Sequence, residues 1–273
     1  MQASSAWIPP TGTLGGIVAE ARDRAAALRA RESELSRMAA AVGPVPSLSR
    51  ALRAANVGVI AEVKRRSPSK GWINASISAL GQAQAYEQGG AAAISVLTEP
   101  AHFGGSVDDL IAVRAGVRIP LLKKDFHVEP IQLLEAKAVG ASAALLIMRA
   151  LSPKAFREMM DAASELDLEV LVEIRDEDEL SRALEAGAAM IGINNRNLET
   201  LAIDATTSKR LLAFVPGAVI AVAESGVESR ADVERLARAG ADAVLVGSAV
   251  SAAADPAAVV RELSTVPRAP RER

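Results

Sequence analysis

The chain has 273 residues, half of them hydrophobic, with a formal net charge of −2 and a pI near 5.9. Length and apolar content allow one large or two ordinary domains with a sizeable core, and the charge offers no basic surface for nucleic acid or an anionic membrane. With no cysteine and two histidines, His102 and His127, disulfides, thiolate metal sites, a cysteine nucleophile and a His-rich metal site are excluded.

No apolar run approaches the roughly 18 residues of a membrane span, and the opening MQASSAWIPPTG lacks the charged-then-apolar pattern of a signal peptide. A soluble, cytoplasmic protein with no membrane partner is the expectation. Residues 13–42 read as one helix, because Ile17, Ala21, Ala25, Leu28, Leu35, Met38 and Val42 recur at helical spacings. Gly43-Pro44 stops it. Up to residue 56 this basic segment carries seven Arg against four acidic residues. At the other end PRAPRER has no apolar content, so residues 266–273 are expected to be disordered.

Between these ends lies an internal repeat. GGAAAISVL from Gly89, VGASAALLI from Val139, AGAAMIGI from Ala186 and AGADAVLVG from Ala239 each join a helix-like segment to a short apolar strand. Gly90, Gly140, Gly187 and Gly240 mark the joints at intervals of 50, 47 and 53. Glycine suits them because a helix C-terminus favours a left-handed residue. Halfway between sit RIPLLKK from Arg118, LEVLVEI from Leu168 and AVIAVAE from Ala218, and VGVIAEV from Val57 comes first. Eight strand–helix units with strands apolar on both faces predict a closed (β/α)₈ TIM barrel over 57–265, with 1–56 as an N-terminal helical extension, all one domain. An open doubly wound sheet fits the evenness of the repeat less well.

Chemistry in such barrels gathers where strands end. In order, those ends carry Glu62 and Lys64, Thr98 and Glu99, Lys123 and Lys124, Arg149, Glu173, Asn194 and Arg196, Glu224 and Ser225, and Gly247 and Ser248. Polar residues there need no function, since strands end where water begins. Glu62 and Glu173 resist that reading because each sits between apolar neighbours and needs a cationic partner if buried; Lys64 and Lys124 are the candidates. Glu62 and Lys64 share a strand face. Ser225-Gly226 after the seventh strand and Gly247-Ser248 after the eighth occupy the loops where barrels commonly hold phosphate. His102 reads as a solvated loop residue, His127 as the start of a helix, and RDEDEL from Arg175 as an acidic helix N-terminus.

AEVKRRSPSKG, SVLTEP, LLKKDF, LLI, VLVEIRDEDEL, IGINNRNLETL and VAESGV, in this order from about residue 13 to 262, resemble the indole-3-glycerol-phosphate synthase family. The resemblance implies a carboxy-lyase of tryptophan biosynthesis. Its substrate would be 1-(o-carboxyphenylamino)-1-deoxyribulose 5-phosphate, a small phosphosugar, and its products indole-3-glycerol phosphate, CO₂ and water, with no cofactor and no metal. By motif, Lys124 would be the general acid at the ribulose carbonyl and Glu173 the acid/base group of the later dehydration. Lys64 would meet the substrate carboxylate, Glu62 would orient the lysines, and Asn194, Arg196, Glu224 and Ser225 would line the pocket. Phosphate contacts would come from Ser67, Gly226, Gly247 and Ser248, with SPSK a mobile loop over the mouth.

Three departures from the family pattern stand out: VGSAVSAAADP after the eighth strand, His127 after KDF, and Lys123 beside Lys124. Alternation puts the two lysines on opposite faces, and the motif alone selects Lys124 as the inward one. A Schiff-base aldolase using Lys124 as its amine and an inactive phosphosugar binder are the competing readings. A monomer is expected.

Overall fold

The computed structural model describes residues 7–269 and 271. Eight parallel strands close on themselves: β1 (Gly58–Val63), β2 (Ala93–Leu97), β3 (Leu121–Lys124), β4 (Ala143–Ile147), β5 (Glu169–Ile174), β6 (Met190–Asn194), β7 (Ile220–Glu224) and β8 (Ala243–Val246). Strand β1 pairs with both β2 and β8, which seals the barrel. This is the (β/α)₈ architecture the repeat predicts. Gly90, Gly140, Gly187 and Gly240 end the helices before β2, β4, β6 and β8 at φ values of 89°, 77°, 79° and 99°, a region where a Cβ is disfavoured.

Alternation divides the strand residues into two layers. Ile60, Leu122, Leu145, Leu171, Val222 and Leu245 fill the barrel, while Val59, Leu121, Val172 and Val244 face the surrounding helices. That phase decides the lysine question. Lys124 follows Leu122 on the inner face, and Lys123 follows Leu121 on the outer one.

Lys123 is nonetheless buried, between the barrel wall and helix Pro130–Ala138, where its Nζ lies 3.0 Å from Glu135 and 3.6 Å from Asp125. His127 does not start that helix. It is buried against the wall, bonds the Leu145 carbonyl through Nδ1 at 2.7 Å and lies 3.4 Å from Lys123. Burial, reinforced by Lys123, lowers its pKa to about 3, so it stays neutral.

The N-terminal extension is two helices, not the single one its spacing predicts. α1 (Gly12–Leu28) and α2 (Glu32–Ala41) are separated by a 3₁₀ turn, Arg29–Arg31. The tighter turn resets the helical phase, so Ala39 is buried with Leu35 while Met38 is exposed. Leu14, Ile17, Val18 and Ala21 of α1 join the barrel's interior cluster, as do Leu48 of the next short helix, Leu48–Ala51, and Leu52 just after it. Ala25, Leu35 and Ala39 pack on Ile131 and Ala138. Among the described residues no helix is long and apolar enough to cross a membrane.

The tail also departs from expectation. Val266 is buried, its carbonyl accepts the Val57 amide at 2.9 Å, and the Arg268 amide donates to Ala55 at 3.0 Å. Arg268 and Arg271 both pair with Asp242, at 3.2 and 2.5 Å. After the buried Val266, Arg268 and Arg271 hold the described part of the tail to the base of the barrel by charge, with backbone pairing through Arg268. Deleting residues 267–273 strips Asp242 of both cations and is expected to cost roughly 2–4 kcal/mol in urea unfolding, with turnover per folded molecule unchanged.

Candidate active site

The register brings the carboxylates and lysines to one level of the C-terminal rim. Glu62 pairs with Ser95, Leu97 with Lys124, Ile147 with Glu173 and Asn194 with Glu224 across neighbouring strands. Lys124 Nζ lies 3.3 Å from Glu173 Oε2 and 3.6 Å from Glu224 Oε2. Lys64 Nζ lies 2.8 Å from Glu62 Oε1. Asn194 Nδ2 donates to Glu173 Oε1 at 2.9 Å, and its own Oδ1 accepts the Arg196 amide at 2.9 Å. Glu62, Glu173 and Glu224 are each 2–3% exposed.

Three buried carboxylates facing two ammonium groups leave one negative charge in excess. Burial is the largest influence on Lys124, Glu62 and Glu224. For Lys124 it opposes the charge, but Glu173, Glu224 and Glu62 outweigh it and hold the ammonium above its ordinary range. For Glu62 it would raise the carboxyl, but Lys64 and Lys124 keep it lowered. Glu224 goes the other way. Burial raises it, Lys124 counteracts that in part, and Glu173 and Glu62 add to the rise. A protonated Glu224 removes the excess charge.

Space is as constrained as charge. Glu224 Oε1 is buried without a hydrogen-bond partner among the described residues, and it faces Gly192 on β6, where any Cβ would collide with it. A Cβ at Gly247 would strike both Glu62 Oε1 and Lys64 Nζ. Ser251 in VGSAVSAAADP, the atypical segment, supports that pair by donating to the Glu62 carbonyl at 2.9 Å and accepting the Lys64 amide at 3.2 Å.

A cavity of about 170 Å³ opens above the cluster. Glu62, Lys64, Lys124, Asn194 and Glu224 line it, together with Arg196, Ser67, Ser225, Gly226, Gly247 and Ser248. Eleven of the twelve residues singled out from the sequence thus share one space. Glu173 lines an adjoining chamber instead. Ser225 and Gly226, both lining the cavity, have φ of 66° and 78°, a left-handed turn straight after β7. The lining also includes the apolar Ile17, Phe103, Phe126, Ile147 and Leu198.

The SPSK segment forms a small ribbon, Arg66–Ser67 against Gly71–Trp72, over the mouth. Arg65 anchors its base through Asp109, at 2.5 and 2.8 Å, and Arg66 stacks on Trp72 at 5.7 Å. Lys70 reaches across to Glu228 at 3.7 Å.

Several residues of the site lie in the quoted motifs or in the extension without a role assigned from sequence. Asp125, directly after Lys124, accepts from Thr98 Oγ1 at 2.5 Å and pairs with Arg24 of α1 at 3.0 Å. Glu99 caps the helix Pro100–Phe103 through three amides and also meets Arg24, at 3.5 Å. Arg24 therefore ties the extension to the turn behind Lys124. The lysine of SPSK and the glycine of IGIN are the clues that point to Lys70 and Gly192. His102 pairs with Glu20 at the surface.

A closed (β/α)₈ barrel with a lysine held among carboxylates at its C-terminal rim, in a cavity also lined by Ser225, Gly226, Gly247 and Ser248, defines an acid–base enzyme of the barrel class. The family model for indole-3-glycerol phosphate synthase matches residues 14–263. Indole-3-glycerol phosphate synthase of Parafrankia sp. is 47% identical over 250 residues, covering 90% of this chain and 93% of that one. The Mycobacterium leprae protein of the same name is 47% identical over 252 residues, covering 92% of each. The chain belongs to the indole-3-glycerol phosphate synthase family, carboxy-lyases of tryptophan biosynthesis. Among solved structures, 3-hexulose-6-phosphate synthase from Salmonella typhimurium superposes with a TM-score of 0.62 at 20% identity, covering 76% of this chain and 97% of its own, a likeness of fold.

Gly192→Ala adds a methyl where the Glu224 carboxylate sits. Turnover is expected to fall on the order of a hundredfold while the circular dichroism spectrum and urea midpoint stay near those of the parent.

Proposed function

We propose that the chain closes the indole ring of 1-(o-carboxyphenylamino)-1-deoxyribulose 5-phosphate in the cavity above Lys124. The phosphate sits among Ser67, Gly226, Gly247 and Ser248, and the aromatic ring lies against Phe103, Phe126 and Leu198. Lys64 meets the substrate carboxylate, with Arg196 beside it.

The observation that carries this reading is Lys124, whose Nζ lies 3.3 Å from Glu173 and 3.6 Å from Glu224 in a cavity also lined by Phe103, Phe126 and Leu198. An ammonium there protonates the ribulose carbonyl oxygen as the aromatic carbon attacks, and the low dielectric strengthens its pull on the developing charge. The same charge makes Lys124 a poor amine nucleophile, which disfavours a Schiff base. Loss of CO₂ then returns the electron pair to the ring and restores aromaticity. In the last stage Glu173, having first taken up a proton, gives it to the departing hydroxyl, and a methylene proton leaves the new ring. Asn194 fixes the Glu173 carboxylate for that step, Glu62 sets Lys64, and Glu224, held protonated, leaves Lys124 oriented chiefly toward Glu173.

The chain is inferred to act as a cytoplasmic monomer. Its exposed large apolar residues, Met38, Ile111 and Phe214 among them, lie on separate elements.

Indole fluorescence appearing when purified protein meets the substrate without added metal tests the activity. Lys124→Ala is expected to abolish that signal in a folded protein, and Glu173→Gln to lower kcat with little change in KM. Near-normal turnover of Lys124→Ala would move the acid elsewhere in the cluster.

A further inference from the structure

The overall chemistry has a proton deficit. The substrate carries a carboxylate, the product carries none, and CO₂ leaves neutral, so each turnover takes up one proton from solvent. The steps agree with this. Lys124 gives one proton to the carbonyl oxygen and Glu173 a second to the leaving hydroxyl, while the ring methylene returns one. Resupply through the main cavity is obstructed while substrate fills it beneath the Arg66–Trp72 ribbon.

A second chamber, of about 160 Å³, adjoins the first and shares Ile147, Asn194, Arg196 and Leu198 with it as walls. It has room for several waters, and its rim includes the exposed Asp176. Two buried carboxylates line it: Glu173 from the reaction cluster and Glu179 from helix Glu177–Glu185.

We propose that Glu179, with the chamber it shares with Glu173, is the route by which the solvent proton consumed in each turnover reaches the reaction cluster. The proposal rests on the assignment of Glu173 to the dehydration step. Glu179 also belongs to the helix cap, accepting the Arg175 amide at 2.8 Å while its own amide donates to Asp176 Oδ1 at 2.8 Å. A cap does not require that carboxylate to be 3% exposed on the wall of a chamber whose other buried carboxylate is Glu173.

The surrounding charges suit a relay. Asp176, Arg175 and Arg182 come from its own segment, Glu173 from β5, Arg149 from the turn after β4, and Arg196 and Glu199 from the loop after β6. Burial, then Asp176, raises the Glu179 carboxyl to about 7, against the lowering by the Arg175 amide and Arg182. Both protonation states are then populated near neutral pH, as a group that loads and unloads a proton requires. The protonated fraction falls as pH rises through that value.

Glu179→Gln keeps an oxygen for the Arg175 amide, so the cap and the fold are retained, and removes the exchangeable proton. Its kcat at alkaline pH is expected to drop on the order of tenfold with KM unchanged, and to recover as a small acid buffer such as imidazole is raised in concentration. In a single turnover of enzyme already loaded with its protons, the variant should match the parent. An unchanged kcat and pH profile, or a fall that buffer does not relieve, would overturn the proposal. Glu173→Gln run alongside separates the two assignments. If it turns over normally, the role of Glu173 fails and the route with it; if it is slow while Glu179→Gln is normal, only the route fails.

Discussion

One ammonium group confined with three carboxylates organises the upper half of this molecule. A lysine cannot be buried charged unless anions surround it, and three buried carboxylates cannot all ionise against two lysines. Lys124 raised, Glu62 lowered and Glu224 raised are mutually consistent answers to that constraint. Neighbouring features follow from keeping the cluster in place. Gly192 and Gly247 clear space for its oxygens, Asn194 orients Glu173, and Ser251 holds the backbone from which Glu62 and Lys64 project. Asp125, fastened by Thr98 and by Arg24 of the extension, steadies the turn that follows the lysine.

The barrel makes such a cluster possible because closure converts sequence alternation into a common inner rim. Each member follows an apolar residue two positions earlier on the same inner face: Ile60 before Glu62, Leu122 before Lys124, Leu171 before Glu173, Val222 before Glu224. The apolar layer beneath excludes water from below. From above, α1 contributes Ile17 to the cavity wall. The low dielectric that strengthens the interaction of the ammonium with a substrate oxygen is thus built from the same residues that stabilise the fold.

Much of this is legible in the sequence, for identifiable reasons. The four left-handed glycines and the eight apolar runs encode the barrel locally, and polar residues ending those runs mark its rim. Less legible is whatever depends on phase or on distant partners. A 3₁₀ turn at Arg29–Arg31 leaves no compositional trace yet rotates the next helix enough to exchange Met38 for Ala39. Alternation separates Lys123 from Lys124 without saying which faces inward, until Leu121 and Leu122 are assigned to layers. The tail looks unstructured by apolarity because its anchoring is ionic, through Asp242. Glu179 reads as one of several acids at a helix start, and its burial beside Glu173 becomes visible only once β5, the following helix and the loop after β6 are assembled.

The charge state of Lys124 is the central claim and is directly measurable. Lysine labelled with ¹⁵N at Nζ, observed by NMR through a pH titration with Lys124→Arg used for assignment, reports whether that nitrogen is protonated. The account predicts an ammonium that persists above the ordinary lysine value of 10.5 and titrates later than the exposed lysines. Loss of the proton below that value would show a lysine governed by burial rather than by its carboxylates, and would contradict the account.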